Sequence, residues 1–150
     1  MTKNINQYRQ WIDQLLDEGR TVQVPVYGMS MFPILMPRDT VQIKRITFEE
    51  MKPGQVLVFE QNGQWVAHRL VKKITKNQTL ITRGDGLPYS DAPVDANRAK
   101  GIITKVIKTR SPFARSINTK IDQFLVGVAP VTGWFFWTAG RIVSWGLQIR

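Results

Sequence analysis

Ile5, Tyr8, Ile12, Leu15 and Leu16 recur at three- and four-residue intervals near the start of the chain, with Trp11 beside them. That period places them on one face of an amphipathic helix, and Gly19 stands where a C-terminal cap belongs. The polar face carries both signs of charge, so the spacing predicts a helix packed on the body that follows rather than one lying in a membrane. From Thr21 to Lys108 the pattern shortens to β-branched runs broken by Gly, Pro, Asn and Asp. Strands are predicted over Thr21 to Val26, Thr40 to Arg45, Gln55 to Glu60, Trp65 to Ile74, Thr79 to Arg83 and Ile102 to Thr109. Gln61-Asn62-Gly63-Gln64 and Lys76-Asn77-Gln78 read as the turns between them. These intervals predict a mainly β fold of meander or barrel type, without internal repeats.

The stretch from Gln123 to Gly140 holds no charged residue, yet Pro130 and the glycines at 127, 133 and 140 interrupt it. It makes a poor transmembrane span. If it is helical from Val131, then Trp134, Trp137, Arg141 and Trp145 fall near one face, which favours a tail lying on or half inside a membrane over one covering the open side of the sheet. Met1 to Gly19 contains no apolar run of the signal-peptide kind, and the expectation is a chain with neither leader nor spanning anchor. The divisions expected are an amphipathic helix over residues 1–20, a β domain over 21–110, and a basic linker with an apolar helical tail over 111–150.

Composition narrows the chemistry. The 150 residues suffice for one domain with a core. Without cysteine there is no disulfide, thiol nucleophile or thiolate metal site, and with one histidine there is no histidine-rich metal centre. No metal and no cofactor is expected. The formal charge of +10 calls for something anionic nearby. Between Arg98 and Lys120 stand seven basic residues and no acid, directly before the apolar tail. That order favours an anionic membrane surface, reached peripherally or through the tail and from the cytoplasmic side. Aromatic residues do not interleave with the charges, so no nucleic acid partner is expected.

Three segments carry candidate chemistry. Ser30 lies in Tyr27-Gly28-Met29-Ser30-Met31-Phe32-Pro33, just after a predicted strand, where Gly28 permits an unusual turn and Pro33 stiffens the exit. His68 lies inside the strand Trp65-Val66-Ala67-His68-Arg69-Leu70, and a near-neutral imidazole beside a serine can accept its proton. Arg83-Gly84-Asp85-Gly86-Leu87-Pro88-Tyr89-Ser90-Asp91 is a loop with two carboxylates, either of which could hold the imidazole tautomer. Taken singly, each has a bland structural explanation: a turn serine, a core histidine, a polar loop.

In this order the segments resemble the signal peptidase I family, specifically the endoplasmic-reticulum-type and archaeal branch that uses histidine where bacterial enzymes use lysine. Gly28 to Pro33 is similar to its nucleophile box. Pro37-Arg38-Asp39-Thr40-Val41 and Lys52-Pro53-Gly54-Gln55-Val56-Leu57-Val58-Phe59 are similar to its following strands. Val66-Ala67-His68-Arg69-Leu70 resembles its base motif, and Thr82-Arg83-Gly84-Asp85 the turn before its acid. The resemblance implies a partly open, strand-rich barrel shared by signal peptidases and repressor peptidases, and a serine endopeptidase that removes leader or signal peptides after small residues. It implies Ser30 as nucleophile and His68 as base. Asp91 is the preferred acid with Asp85 second, and Gly28, Met29, Met31 and Pro33 are positions against the peptide or preprotein substrate. Two other readings share the fold: a self-cleaving repressor-type peptidase, which calls for a helix-turn-helix and a lysine base, and a non-catalytic module that binds peptides or partners.

Overall fold

A computed structural model describes residues 2–112 of the chain. The expected apolar tail and most of the basic linker lie outside the described residues. The N-terminal period gives one helix, α1 (Thr2–Asp17). It ends in a Schellman motif, with Arg20 N–H bonded to Leu15 O and Gly19 N–H to Leu16 O, both at 3.0 Å. Strands follow at β1 (Val22–Pro25), β2 (Thr40–Lys44), β3 (Val56–Gln61), β4 (Gln64–Ile74), β5 (Thr79–Arg83), β6 (Val94–Asp95) and β7 (Ala99–Lys108). They form one antiparallel sheet in the order β1-β2-β7-β3-β4-β5-β6. The fold is thus mainly β, open at β1 and β6, with one N-terminal helix.

Strand alternation divides the core between the two faces of the sheet. Val41, Ile43, Val56, Val58 and Ile103 pack with Ile12 and Leu16 of α1 and with Met31, Ile34 and Leu35 of the loop after β1. Leu57, Phe59, Leu70, Leu80 and Ile102 pack on the other face with Met51 and Val94. β3 is buried from Val56 to Phe59 on both faces, the physical reason its sequence is an unbroken apolar run. The β3–β4 hairpin closes through Asn62 (φ 51°) and Gly63 (φ 71°), the left-handed pair that a two-residue turn demands. β7 begins three residues earlier than its sequence pattern predicts, because Ala99 pairs with Phe59 across an irregular register. β6, only two residues long, has too short a pattern to stand out, and pairs with Thr79 and Leu80.

Polar ties fix α1 against the sheet. Asp13 is bonded to Arg45 and, at 2.7 Å, to Lys100 Nζ, while Asp17 lies 3.0 Å from Arg45 Nε. Arg9, one turn earlier, donates to the carbonyl of Gly63 at the hairpin tip. Among the described residues no helix is long and apolar enough to cross a membrane.

Candidate active site

The loop carrying Ser30 is closed at its base like a purse. Val26 N–H bonds Asp39 O at 2.9 Å, and Arg38 N–H bonds Val26 O at 2.8 Å. The buried carboxylate of Asp39 accepts from Met36 N–H (2.9 Å), Thr109 Oγ1 (2.8 Å) and Arg110 N–H (3.0 Å), which locks the loop exit to the end of β7. Three hydrogen bonds satisfy a carboxylate that burial would otherwise penalise. Met31, Ile34 and Leu35 drop into the core, and Ser30 is left half-buried at the rim.

The β5–β6 loop holds Ser30 from the other side. Gly86 N–H donates to Ser30 O at 2.8 Å. At Gly84 a Cβ would stand 2.4 Å from the same carbonyl oxygen, so only glycine lets the two loops meet this closely. From this loop each of two carboxylates reaches one of two adjacent residues on β4. Asp91 Oδ2 lies 2.6 Å from His68 Nδ1, with both side chains about nine-tenths buried. The same oxygen accepts from Thr82 Oγ1 at 2.7 Å, and Asp91 N–H returns to Thr82 O at 2.8 Å. A carboxylate in its ionised form only accepts, so at this position it would favour the tautomer with the proton on Nδ1 and Nε2 as the acceptor. The Phe59 ring meets the imidazole edge to face at 6.1 Å. Ser30 Oγ and His68 Nε2 form no hydrogen bond among the described residues.

Arg69, on the opposite face of β4, forks onto Asp85 through Nε (2.7 Å) and a terminal nitrogen (2.6 Å), and donates its third bond to Gly54 O at 2.6 Å. Arg83 pairs with Arg69 across β4 and β5. Burial lowers the Arg83 pKa, with neighbouring Arg69 acting in the same sense and Asp85 against it. The two acids of the loop are therefore separated: Asp91 contacts His68, and Asp85 pairs with the buried Arg69.

A groove of about 740 Å³ opens beside Ser30. Gly28 and Met31 line it, as do Val66 and Ala67, which precede His68 on β4. Met29 and Pro33 do not; their carbonyls accept from Phe32 N–H in the same loop and from Ser111 Oγ beyond β7. Thr82 and the helix residues Ile5 and Tyr8 are the contributors that sequence reasoning missed. Thr82 could have been found from alternation, because Leu80 and Thr82 share the buried face and a buried hydroxyl needs an acceptor.

Comparison with protein families matches residues 1–107 to Peptidase S24-like. The chain belongs to that family. Comparisons with curated proteins and with solved structures return no match. Membership places this S24-like chain among serine-peptidase-type hydrolases, in the broad group that holds both self-cleaving repressors and signal peptidases.

Proposed function

We propose that this S24-like chain is a serine endopeptidase of the signal peptidase type, cutting leader or signal peptides after small residues through Ser30, His68 and Asp91. The observation that carries the reading is the 2.6 Å contact between His68 Nδ1 and Asp91 Oδ2, made by the chain's single histidine from within β4. A histidine at this point, where repressor peptidases place a lysine, favours the signal peptidase branch.

In this mechanism Ser30 Oγ attacks the scissile carbonyl carbon as His68 Nε2 takes its proton. Asp91 then stabilises the imidazolium without itself becoming protonated. The oxyanion needs donors already in place, and the N–H groups of Ser30 and Met31 have no acceptor among the described residues. The imidazolium returns its proton to the leaving amine, and water, deprotonated by the same nitrogen, releases the acyl group from Ser30. Among the described residues β1 is an edge strand paired only with β2, so its outer backbone groups suit an extended peptide added as a strand.

The test is cleavage of an Ala-x-Ala leader peptide by the purified chain with lipid or detergent, with Ser30→Ala and His68→Ala each abolishing it. Wild-type rates in both variants would remove the triad. The family match also favours a second reading, cleavage of the chain itself, which mass spectrometry would register as fragments formed by wild type and not by Ser30→Ala. Attachment to an anionic membrane from the cytoplasmic side completes the proposal, supported by the basic run ending at Lys120 and the uncharged stretch from Gln123. Its check is co-sedimentation with anionic liposomes, which salt should weaken and deletion of Gln123 to Arg150 should abolish.

A further inference from the structure

α1 carries two stripes with different destinations. Arg9, Asp13 and Asp17, spaced by four, form a polar seam tied to Gly63 O, Arg45 and Lys100. The apolar stripe is only half used: Ile12 and Leu16 are 3 % and 1 % exposed, whereas Ile5 and Tyr8, earlier on the same stripe, are 50 % and 49 % exposed. The first half of the stripe is not free to turn away or to sink further into the core, because Arg9 pins that turn to the hairpin tip. What Ile5 and Tyr8 border instead is the groove that contains Ser30 and Gly28.

The opposite walls of that groove are apolar as well. Val24 of the edge strand β1 and Val26 just after it run along the groove, and Trp65 and Ala67 line it from β4. Among the described residues Arg9 is the one cation in the lining, and its guanidinium donates to the Gly63 carbonyl. An extended chain laid along β1 would send alternate side chains between β1 and α1, and only an apolar one would meet its like there.

We infer that the first two turns of α1 are a specificity wall: Ile5 and Tyr8 receive an apolar side chain of the peptide substrate that flanks its scissile bond. The inference rests on the reading of Ser30 as a peptidase nucleophile, and it adds a requirement that residue and its partners do not impose. Small residues at the cut site satisfy the serine end of the groove, and an apolar neighbour satisfies the helix end.

The experiment measures peptide binding by fluorescence anisotropy in a Ser30→Ala background, where nothing can be cut. The probes are two leader peptides with the same Ala-x-Ala segment, one flanked by leucines and the other by serines. With α1 intact the leucine peptide binds about tenfold more tightly, the scale of burying one large apolar side chain. Ile5→Ser with Tyr8→Ser reduces that ratio to about one, mainly by weakening the leucine peptide. Both side chains are half in water, so the double variant keeps its fold, which circular dichroism verifies; Arg9→Ala, which leaves the wall's side chains in place but unpins them, lowers the ratio part of the way. A ratio unchanged by the double variant, or no preference at all with α1 intact, overturns the wall. Because binding is read apart from cutting, an α1-dependent preference in a protein whose wild type cleaves neither peptide would refute the nucleophile reading and leave the wall standing as a peptide-binding surface.

Discussion

Exchanging each loop carboxylate for its amide separates chemistry from stability, because Asp91 and Asp85 serve adjacent residues on opposite faces of β4. In Asp91→Asn the group facing His68 Nδ1 is no longer an obligatory acceptor. An amide N–H pointed at the ring favours the tautomer with its proton on Nε2, which is the nitrogen required to accept from Ser30. A triad that loses its tautomer in this way falls by about 10⁴ in kcat, or about 5.5 kcal/mol of barrier. The stability cost is small, about 1–2 kcal/mol, since an amide can still satisfy Thr82 and the ring. Asp85→Asn does the reverse. Its partner Arg69 has a side chain only 3 % exposed, and with the carboxylate gone a buried guanidinium faces a second one at Arg83. Removing one partner of a buried pair costs about 3–5 kcal/mol, a large part of the roughly 5–15 kcal/mol that holds a domain together. The assay is kcat on the leader peptide beside a urea midpoint for each variant. An Asp91→Asn protein retaining more than about a tenth of wild-type kcat, or an Asp85→Asn protein with the wild-type midpoint, would refute the division of roles.

Two further outcomes follow from contacts away from the triad. Gly84→Ala places a methyl carbon 2.4 Å from the Ser30 carbonyl oxygen, and the backbone on either side must give way. Leader cleavage should fall about tenfold or more for a stability loss of about 1–3 kcal/mol, whereas Gly19→Ala, strained but open on all sides, should lower the urea midpoint and leave kcat alone; equal kcat in the two variants would count against a shared loop joint. For Asp13, burial acts to raise the pKa, but the hydrogen bonds and charges of Lys100 and Arg45 together outweigh it and hold the carboxyl below its ordinary 3.8. The unfolded chain then binds this proton more tightly than the folded one, so the stabilisation is present above pH 3.8 and lost as pH falls through the folded value. Asp13→Asn should cost about 1 kcal/mol in urea unfolding at neutral pH, a partly exposed pair being screened by water, and the gap to wild type should close in acid; a gap independent of pH would contradict the pairing.

Much of this was legible in the chain because local patterns decide it. The helix ending before Gly19, the turn at Asn62-Gly63 and six of the seven strands come from periods and turn residues that tertiary contacts reinforce. The nucleophile loop, the imidazole and the acidic loop were legible as pieces. Their assembly was not, since it depends on which face of β4 each residue takes and how far the β5–β6 loop folds back. The resemblance prefers Asp91 to Asp85, but the residues themselves do not separate the two until the sheet puts His68 and Arg69 back to back. The two-residue β6 and the early start of β7 owe their existence to partners distant in sequence. The open half of the α1 stripe was equally hidden: a helical period tells which residues share a face, and only packing tells how much of that face is covered.

One loop does the assembling. The segment from Gly84 to Asp91 is fixed at its start by the Asp85 fork to Arg69 and at its end by the two bonds between Asp91 and Thr82. Between those anchors it presents Gly86 N–H to the carbonyl of Ser30, so the backbone of Ser30 and the ring of His68 are both referenced to the same short piece of chain. Ser30 and His68 are thus tied to one loop, with no hydrogen bond between their own side chains among the described residues. Catalytic contacts of this kind often tighten only when substrate fills the site. On the proposed mechanism Asp91 touches the group that moves the proton, while the buried Arg69–Asp85 pair holds the start of the same loop in place.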